Sequence, residues 1–201
     1  MDTRAYYEVV PDLVSILHLQ AGDMFSLKNC PTANTCVSGN DYVRLLDDFK
    51  MGPNLVRGFA PAGIGPRDIT PGTTNDALGG TMYWGASFEL QYPLYFLPKD
   101  SGFRGAIFVD SGSVWGYRGE TQFPATGEIN GFITPTVGGK TTFFCQCGMQ
   151  FADSPAVRAS AGASIIWDSP FGPLRFDIAY PFLKQSYDRT QIFAFGGGTK
   201  F

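Results

Sequence analysis

The chain has 201 residues, a formal net charge of −3 and four cysteines. With 15 basic against 18 acidic side chains and no basic stripe, it is not built to bind nucleic acid or another polyanion. Its length suits one domain, no apolar run approaches the roughly 18 residues of a membrane helix, and "MDTRAYYEVV" lacks the basic-then-apolar pattern of an export signal.

The first predicted strands cover 2–9 and 13–22, joined through the short turn "VVPDL". His18, the only histidine, falls on a strand face, so neither a His-based metal site nor a nucleophile–His triad is expected. Residues 23–80 form a long connection with no clear period. A structureless connection of that length is uncommon unless it is functional or disordered. It carries "CPTANTC", in which Cys30 and Cys36 would close a small disulfide loop. Cys145 and Cys147 lie too close for an easy bridge to each other and could pair across loops. The two Cys spacings fit no zinc knuckle, so a disulfide is expected over a metal. The same connection carries "LVRGFAPAGIGPRD", an arginine set among glycines and prolines.

"TMYWGASFELQYPL", 81–94, alternates cleanly. Met82, Trp84, Ala86, Phe88, Leu90, Tyr92 and Leu94 share one face; Tyr83, Gly85, Ser87, Glu89 and Gln91 share the other. The strand predicted over 102–115 is less clean, because Phe108 has the parity of Asp110 while Ile107, Val109 and Trp115 oppose it. The 116–154 stretch is a second long connection. Its "VGGKTT" resembles the end of a phosphate loop, but Thr134 stands where that pattern needs glycine and no helix pattern follows, so it is set aside. Strands over 156–169 and 174–183 flank the tight "SPFGPL" turn, and a last strand is predicted over 190–201.

A soluble sandwich also alternates, but its strands are usually shorter. Strands of about 9–11 tilted residues, aromatics near their ends, and short turns opposite long loops are what a bilayer-spanning barrel requires. Seven strands would leave an open edge, which cannot sit in lipid, and single-chain bacterial barrels have even strand numbers. The expected fold is therefore all-β: an antiparallel transmembrane β-barrel portion, about seven C-terminal strands of a larger barrel.

Specific motifs support that reading. "VRGF" followed by "IGPRD", "GGTMYWGASFELQYPL", "GFRGAIFVDSGSVW", "VRASAGASIIWDSPFGPLRFDIAYPF" and the terminal "FGGGTKF" stand in order along the chain. In them the chain resembles the C-terminal portion of the BamA family of outer-membrane protein assembly factors, the bacterial surface antigen family. Members of that family carry an export signal, periplasmic POTRA domains and a sixteen-stranded barrel. The resemblance thus implies that 1–201 is the C-terminal part of an outer-membrane β-barrel domain, with 23–80 as an extracellular loop docked in the lumen. It further implies that Val56, Arg57, Gly58 and Phe59 form the lumen motif, and that Arg57 meets acids on the inner wall, Glu89 and Asp110 by motif position.

The resemblance also implies that the terminal strand, with Gly196, Gly197, Gly198 and Phe201, closes a seam that opens to client strands. Thr199 departs from it, since an ideal terminal signal is apolar there. Glycines lower strand stability, so a weak spot and a mere kink are both open readings. The implied partners are nascent outer-membrane proteins, assembly-complex lipoproteins and outer-membrane lipids, in the cell outer membrane, with no nucleic acid, cofactor, metal or catalysis. Barrels of the TamA type and two-partner secretion transporters share the loop arginine, and a passive porin-like barrel is the alternative from a different class.

Overall fold

The computed structural model describes residues 1–25, 46–95, 97–98, 101–119, 149–170 and 172–197. Among them every regular element is a strand. These are β1 (Asp2–Val10), β2 (Leu13–Asp23), β3 (Arg67–Asp68), β4 (Met82–Pro93), β5 (Phe103–Trp115), β6 (Phe151–Ala152), β7 (Arg158–Ser169), β8 (Gly172–Leu183) and β9 (Phe193–Gly197). Seven of them form one sheet in the order β1-β2-β4-β5-β7-β8-β9, and every pair is antiparallel. The remaining two, β3 and β6, form a small ribbon that ties the two long connections together.

Local chemistry sets the turns. Between β1 and β2, Pro11 presets its own φ, and Asp12 takes a φ of 71°, a left-handed value that a short polar side chain tolerates. Between β7 and β8, Ser169 pairs with Gly172, whose φ of 117° suits glycine. The tight turns and the 94–102 connection gather at one end of the sheet, and the long connections at the other. Phe103 stacks on Trp167 at the short-turn end, with centroids 5.2 Å apart, the placement expected of an interfacial aromatic girdle.

The two faces are the reverse of a soluble sandwich. Phe88, Ile107, Val109, Ile165 and Ile178 point away from the loops and are between 49 % and 61 % exposed. Glu89, Asp110, Ser160, Ser164 and Asp177 lie on the opposite face and are buried. The 46–80 connection, folded against that face, covers Glu89, Asp110 and Ser160, and Arg175 lies against Ser164 and Asp177. The hydrophobic core belongs to this connection: Met51, Leu55, Val56, Phe59 and Ile64 pack with Val114, and Phe49 and Tyr83 lean against them. Water cannot be the intended neighbour of so continuous an apolar outer face, whereas hydrocarbon can.

Several boundaries differ from those expected. β8 begins at Gly172, because its pairing with β7 continues to the turn itself. β7 begins at Arg158, not 156, because the Ala156 carbonyl is taken by the Arg158 guanidinium at 2.7 Å. The last strand begins at Phe193, not 190: Thr190 bridges to Phe59 of the long connection. Gly196 and Gly197 sit within β9, paired with Arg175 and Leu174. Gly198, Phe201, the "VGGKTT" stretch and all four cysteines, Cys30 and Cys36 included, lie outside the described residues.

Candidate functional site

The long connection reaches the sheet through a turn at 52–56, where the Leu55 and Val56 N–H groups both donate to Gly52 O at 3.2 and 3.1 Å. Val56 and Phe59 are fully buried in the loop core and so pin the chain on both sides of Arg57. Gly58 between them has a φ of 87°. A Cβ there would stand 3.2 Å from Ala179 Cβ and 3.3 Å from Ser160 Cβ, so both backbone shape and closeness to the wall call for glycine. Ser160 Oγ donates to the Arg57 carbonyl at 2.5 Å, tying the loop backbone to β7.

The Arg57 side chain lies flat on the wall. Its Nε and Nη2 donate to the two oxygens of Asp110 at 2.7 and 2.8 Å, a bidentate fork, and its backbone N–H reaches Asp110 Oδ2 at 3.0 Å. Nη1 reaches Glu89 Oε2 at 2.5 Å and Nη2 reaches Ser87 Oγ at 3.1 Å. The guanidinium carbon stands 3.4 Å from the centroid of the Phe108 ring. This explains the parity of Phe108: the phenyl ring faces inward with Asp110 because it is the platform on which the cation stacks. Side-chain exposure is 8 % for Arg57, 9 % for Glu89 and 0 % for Asp110, so the pairs are desolvated.

A second arginine completes the cluster. Arg175 on β8 donates through Nη1 and Nη2 to Glu89 at 3.0 and 2.7 Å, through Nη2 to Ser164 Oγ at 2.8 Å, and through Nε to Asp177 at 2.7 Å. Two guanidiniums thus share three carboxylates drawn from β4, β5 and β8, with Gln91 also donating to Glu89 Oε1 at 2.8 Å. Sequence reasoning did not pick out Arg175, Asp177, Ser164 or Ser87. Arg175 and Asp177 do share the polar face of "LRFDIAYPF", and that shared parity was the available signal. The partnership itself joins strands distant in sequence, which parity cannot reveal.

Two further arginines hold the long-loop end. The side chains of Arg158 and Asp188 are both fully buried, with Nε donating to Oδ2 at 3.1 Å, and Arg158 also reaches the carbonyls of Ser154 and Ala156 and the hydroxyl of Tyr187. Arg67, in the "IGPRD" stretch, is 1 % exposed and donates to the carbonyls of Asn75 and Ala62. Gly65 beside it has a φ of 122° and packs on Val114. The motif therefore shapes the base of the loop, while "VRGF" shapes its contact with the wall. Among the described residues no cluster of three or more His, Cys, Asp or Glu is arranged to hold a metal ion.

Comparison with known proteins bears on family and fold. The Omp85 superfamily domain matches residues 2–201. The outer membrane protein assembly factor BamA of Neorickettsia risticii is 32% identical over 143 residues, covering 71% of this chain and 15% of that protein. BamA of Neisseria meningitidis serogroup B is 29% identical over 153 residues, covering 75% of this chain and 18% of that protein. The sorting and assembly machinery component 50 homolog of Mus musculus is 37% identical over 75 residues, 35% of this chain and 15% of that protein. The crystal structure of BamA from Haemophilus ducreyi lacking POTRA domains 1–3 superposes with a TM-score of 0.64 over 96% of this chain and 32% of that one, at 24% identity, a likeness of fold. The chain spans less than a fifth of the length of these curated BamA relatives.

Proposed function

The chain belongs to the Omp85 superfamily, and we propose that it forms the C-terminal strands of an outer-membrane barrel that inserts and folds other β-barrel proteins. The observation that favours this reading over a passive pore is the docked arginine. A loop fixed by Arg57, Asp110, Glu89 and Arg175 on the face opposite the apolar one would, in a closed barrel, lie across the space that a passive diffusion pore leaves open. The cluster does no covalent chemistry. It holds the 46–80 connection in one place, at the cost of desolvating five charged side chains, a use of buried charge that favours a unique arrangement over raw stability.

The proposed work is strand addition. An unpaired strand edge templates an incoming chain through main-chain hydrogen bonds, and the apolar outer face keeps that edge at bilayer depth. β9 packs on β8 through Phe195 and Phe176, and Gly196 has no other atom within reach of a Cβ built on it, so the glycine end of the described strand is held by its backbone. In this reading the partners are nascent outer-membrane proteins, the lipoproteins of an assembly complex and outer-membrane lipids. Domain extent follows: 1–201 is one part of a larger barrel domain, and 23–80 is its lumen loop.

The test is insertion of a barrel client into liposomes by the full-length protein. Unmodified protein accelerates client folding, and Arg57→Ala lowers the rate at least tenfold with the barrel still assembled. A full-length protein that only conducts ions, with no effect on client folding, would refute the assembly role.

A further inference from the structure

β9 is an edge of the sheet. It pairs with β8 from Ile178↔Phe193 to Leu174↔Gly197, and just above this the Ala179 N–H donates to Ile192 O at 2.9 Å. In an antiparallel ladder a residue's N–H and C=O point to the same neighbour, and the direction alternates along the strand. Residues 192, 194 and 196 therefore face β8, while Phe193, Phe195 and Gly197 face out of the sheet. One step further up in the same register, Thr190 would meet Pro181, which has no N–H to give, and the ladder stops.

Backbone groups of Arg189 and Gln191 are already taken by the long connection. Gln191 N–H donates to Gly58 O at 3.0 Å, Ala60 N–H donates to Arg189 O at 3.0 Å, and Arg189 N–H donates to Gly63 O at 3.0 Å. Phe59 and Thr190 sit opposite each other as an isolated antiparallel bridge. The Arg189 side chain adds a bond to Thr74 O, and Asn75 donates to Tyr187 O at 3.4 Å. The segment that directly follows the docked arginine is thus paired with residues 189–191, the approach to the last strand, from over the β7–β8 wall, where Gly58 lies against Ala179 and Ser160.

We propose that the docked 58–63 segment is a stop for edge pairing: it caps the last strand's edge at residues 189–191 and confines any strand that joins this edge to Phe193 and onward. The joining strand is the sheet's completing neighbour or, on the assembly reading above, an incoming client strand. Arg57 sets the stop because its fork, together with the Ser160 bond to its carbonyl and the buried Val56 and Phe59, holds Gly58 to Gly63 within reach of Arg189 and Gln191. Releasing the arginine lengthens the open edge upward by one hydrogen-bonding pair.

A photo-crosslinking residue placed at 191 or at 195 in the full-length protein, in lipid nanodiscs, tests this, with adducts mapped by mass spectrometry. The residue at 191 should mark the 58–63 peptide and the one at 195 should mark a different strand. In Arg57→Ala the 191 adduct should move from the loop to that strand; Arg57→Lys, which keeps the charge but not the fork, should split it between the two and guards against a misfolded alanine variant. Two results overturn the stop. One is an adduct from 191 to a strand in the unmodified protein. The other is a 191 adduct that stays on the loop in both variants although their 55–60 amides exchange freely with solvent. None of these readouts needs a client, so an inactive insertion assay with this crosslinking pattern intact would sink the assembly role alone.

Discussion

Arg57→Ala removes four side-chain hydrogen bonds, two to Asp110 and one each to Glu89 and Ser87, together with the stack on Phe108. The acids are not left equal. Glu89 keeps Arg175 and Gln91, whereas Asp110, with a fully buried side chain, keeps only Ser87 and the backbone N–H of residue 57. Removing one partner of a buried ion pair costs about 3–5 kcal/mol because the other charge stays buried. The two bonds left to Asp110 put the expected loss near the lower end, about 3 kcal/mol, or roughly a hundredfold in the docking equilibrium at 1.4 kcal/mol per tenfold. Amide exchange of residues 55–60 in the full-length protein reads that opening directly. The same asymmetry predicts that Asp110→Asn raises loop exchange more than Glu89→Gln, and that the Arg57–Asp110 coupling in a double-mutant cycle exceeds the Arg57–Glu89 coupling. Less than a tenfold change for Arg57→Ala, the reverse order of the two acids, or full rescue by Arg57→Lys would refute the reasoning.

Gly58→Ala should raise loop exchange by about 1–3 kcal/mol equivalent, since the φ of 87° is strained for alanine and the new methyl meets Ala179 and Ser160. Ile178→Arg, on the outer face, should lower barrel stability in bilayers by about 2–4 kcal/mol in a folding titration; a cost near zero would mean that this face meets water. Asp48 in the loop is 6 % exposed, neither carboxylate oxygen has a hydrogen-bond partner, and burial pushes its pKa up to about 6. The folded loop then holds the extra proton between its ordinary value of 3.8 and about 6, so docking should weaken as pH rises through that window. Asp48→Asn should flatten the dependence, measured as loop exchange against pH with the intrinsic exchange rate divided out.

Gly58 and Phe108 show how far local reading reaches. The glycine in "VRGF" is legible as a tight turn, and the structure supplies both of its reasons, a left-handed backbone and a wall within 3.3 Å. Phe108 breaks the alternation of its strand and looks like noise in sequence. It becomes intelligible only with the guanidinium 3.4 Å above its ring. Thr190 and Gln191 have strand-like composition, yet they leave the sheet because Pro181 offers Thr190 no donor and Gly58 O accepts the Gln191 N–H.

The seven long strands and the face that meets lipid were legible in the sequence alone, because alternation with period two is a local rule; the two-residue β3 and β6, and the pairing across the two long connections, were not. Which charges meet on the inner wall was decided by tertiary structure. Arg57, Glu89, Asp110, Arg175 and Asp177 come from four separate segments, and their contacts depend on how a long loop folds back across several strands. A desolvated charge has to be matched by whatever opposite charge that path brings within about 3 Å, and no spacing along the chain encodes the path.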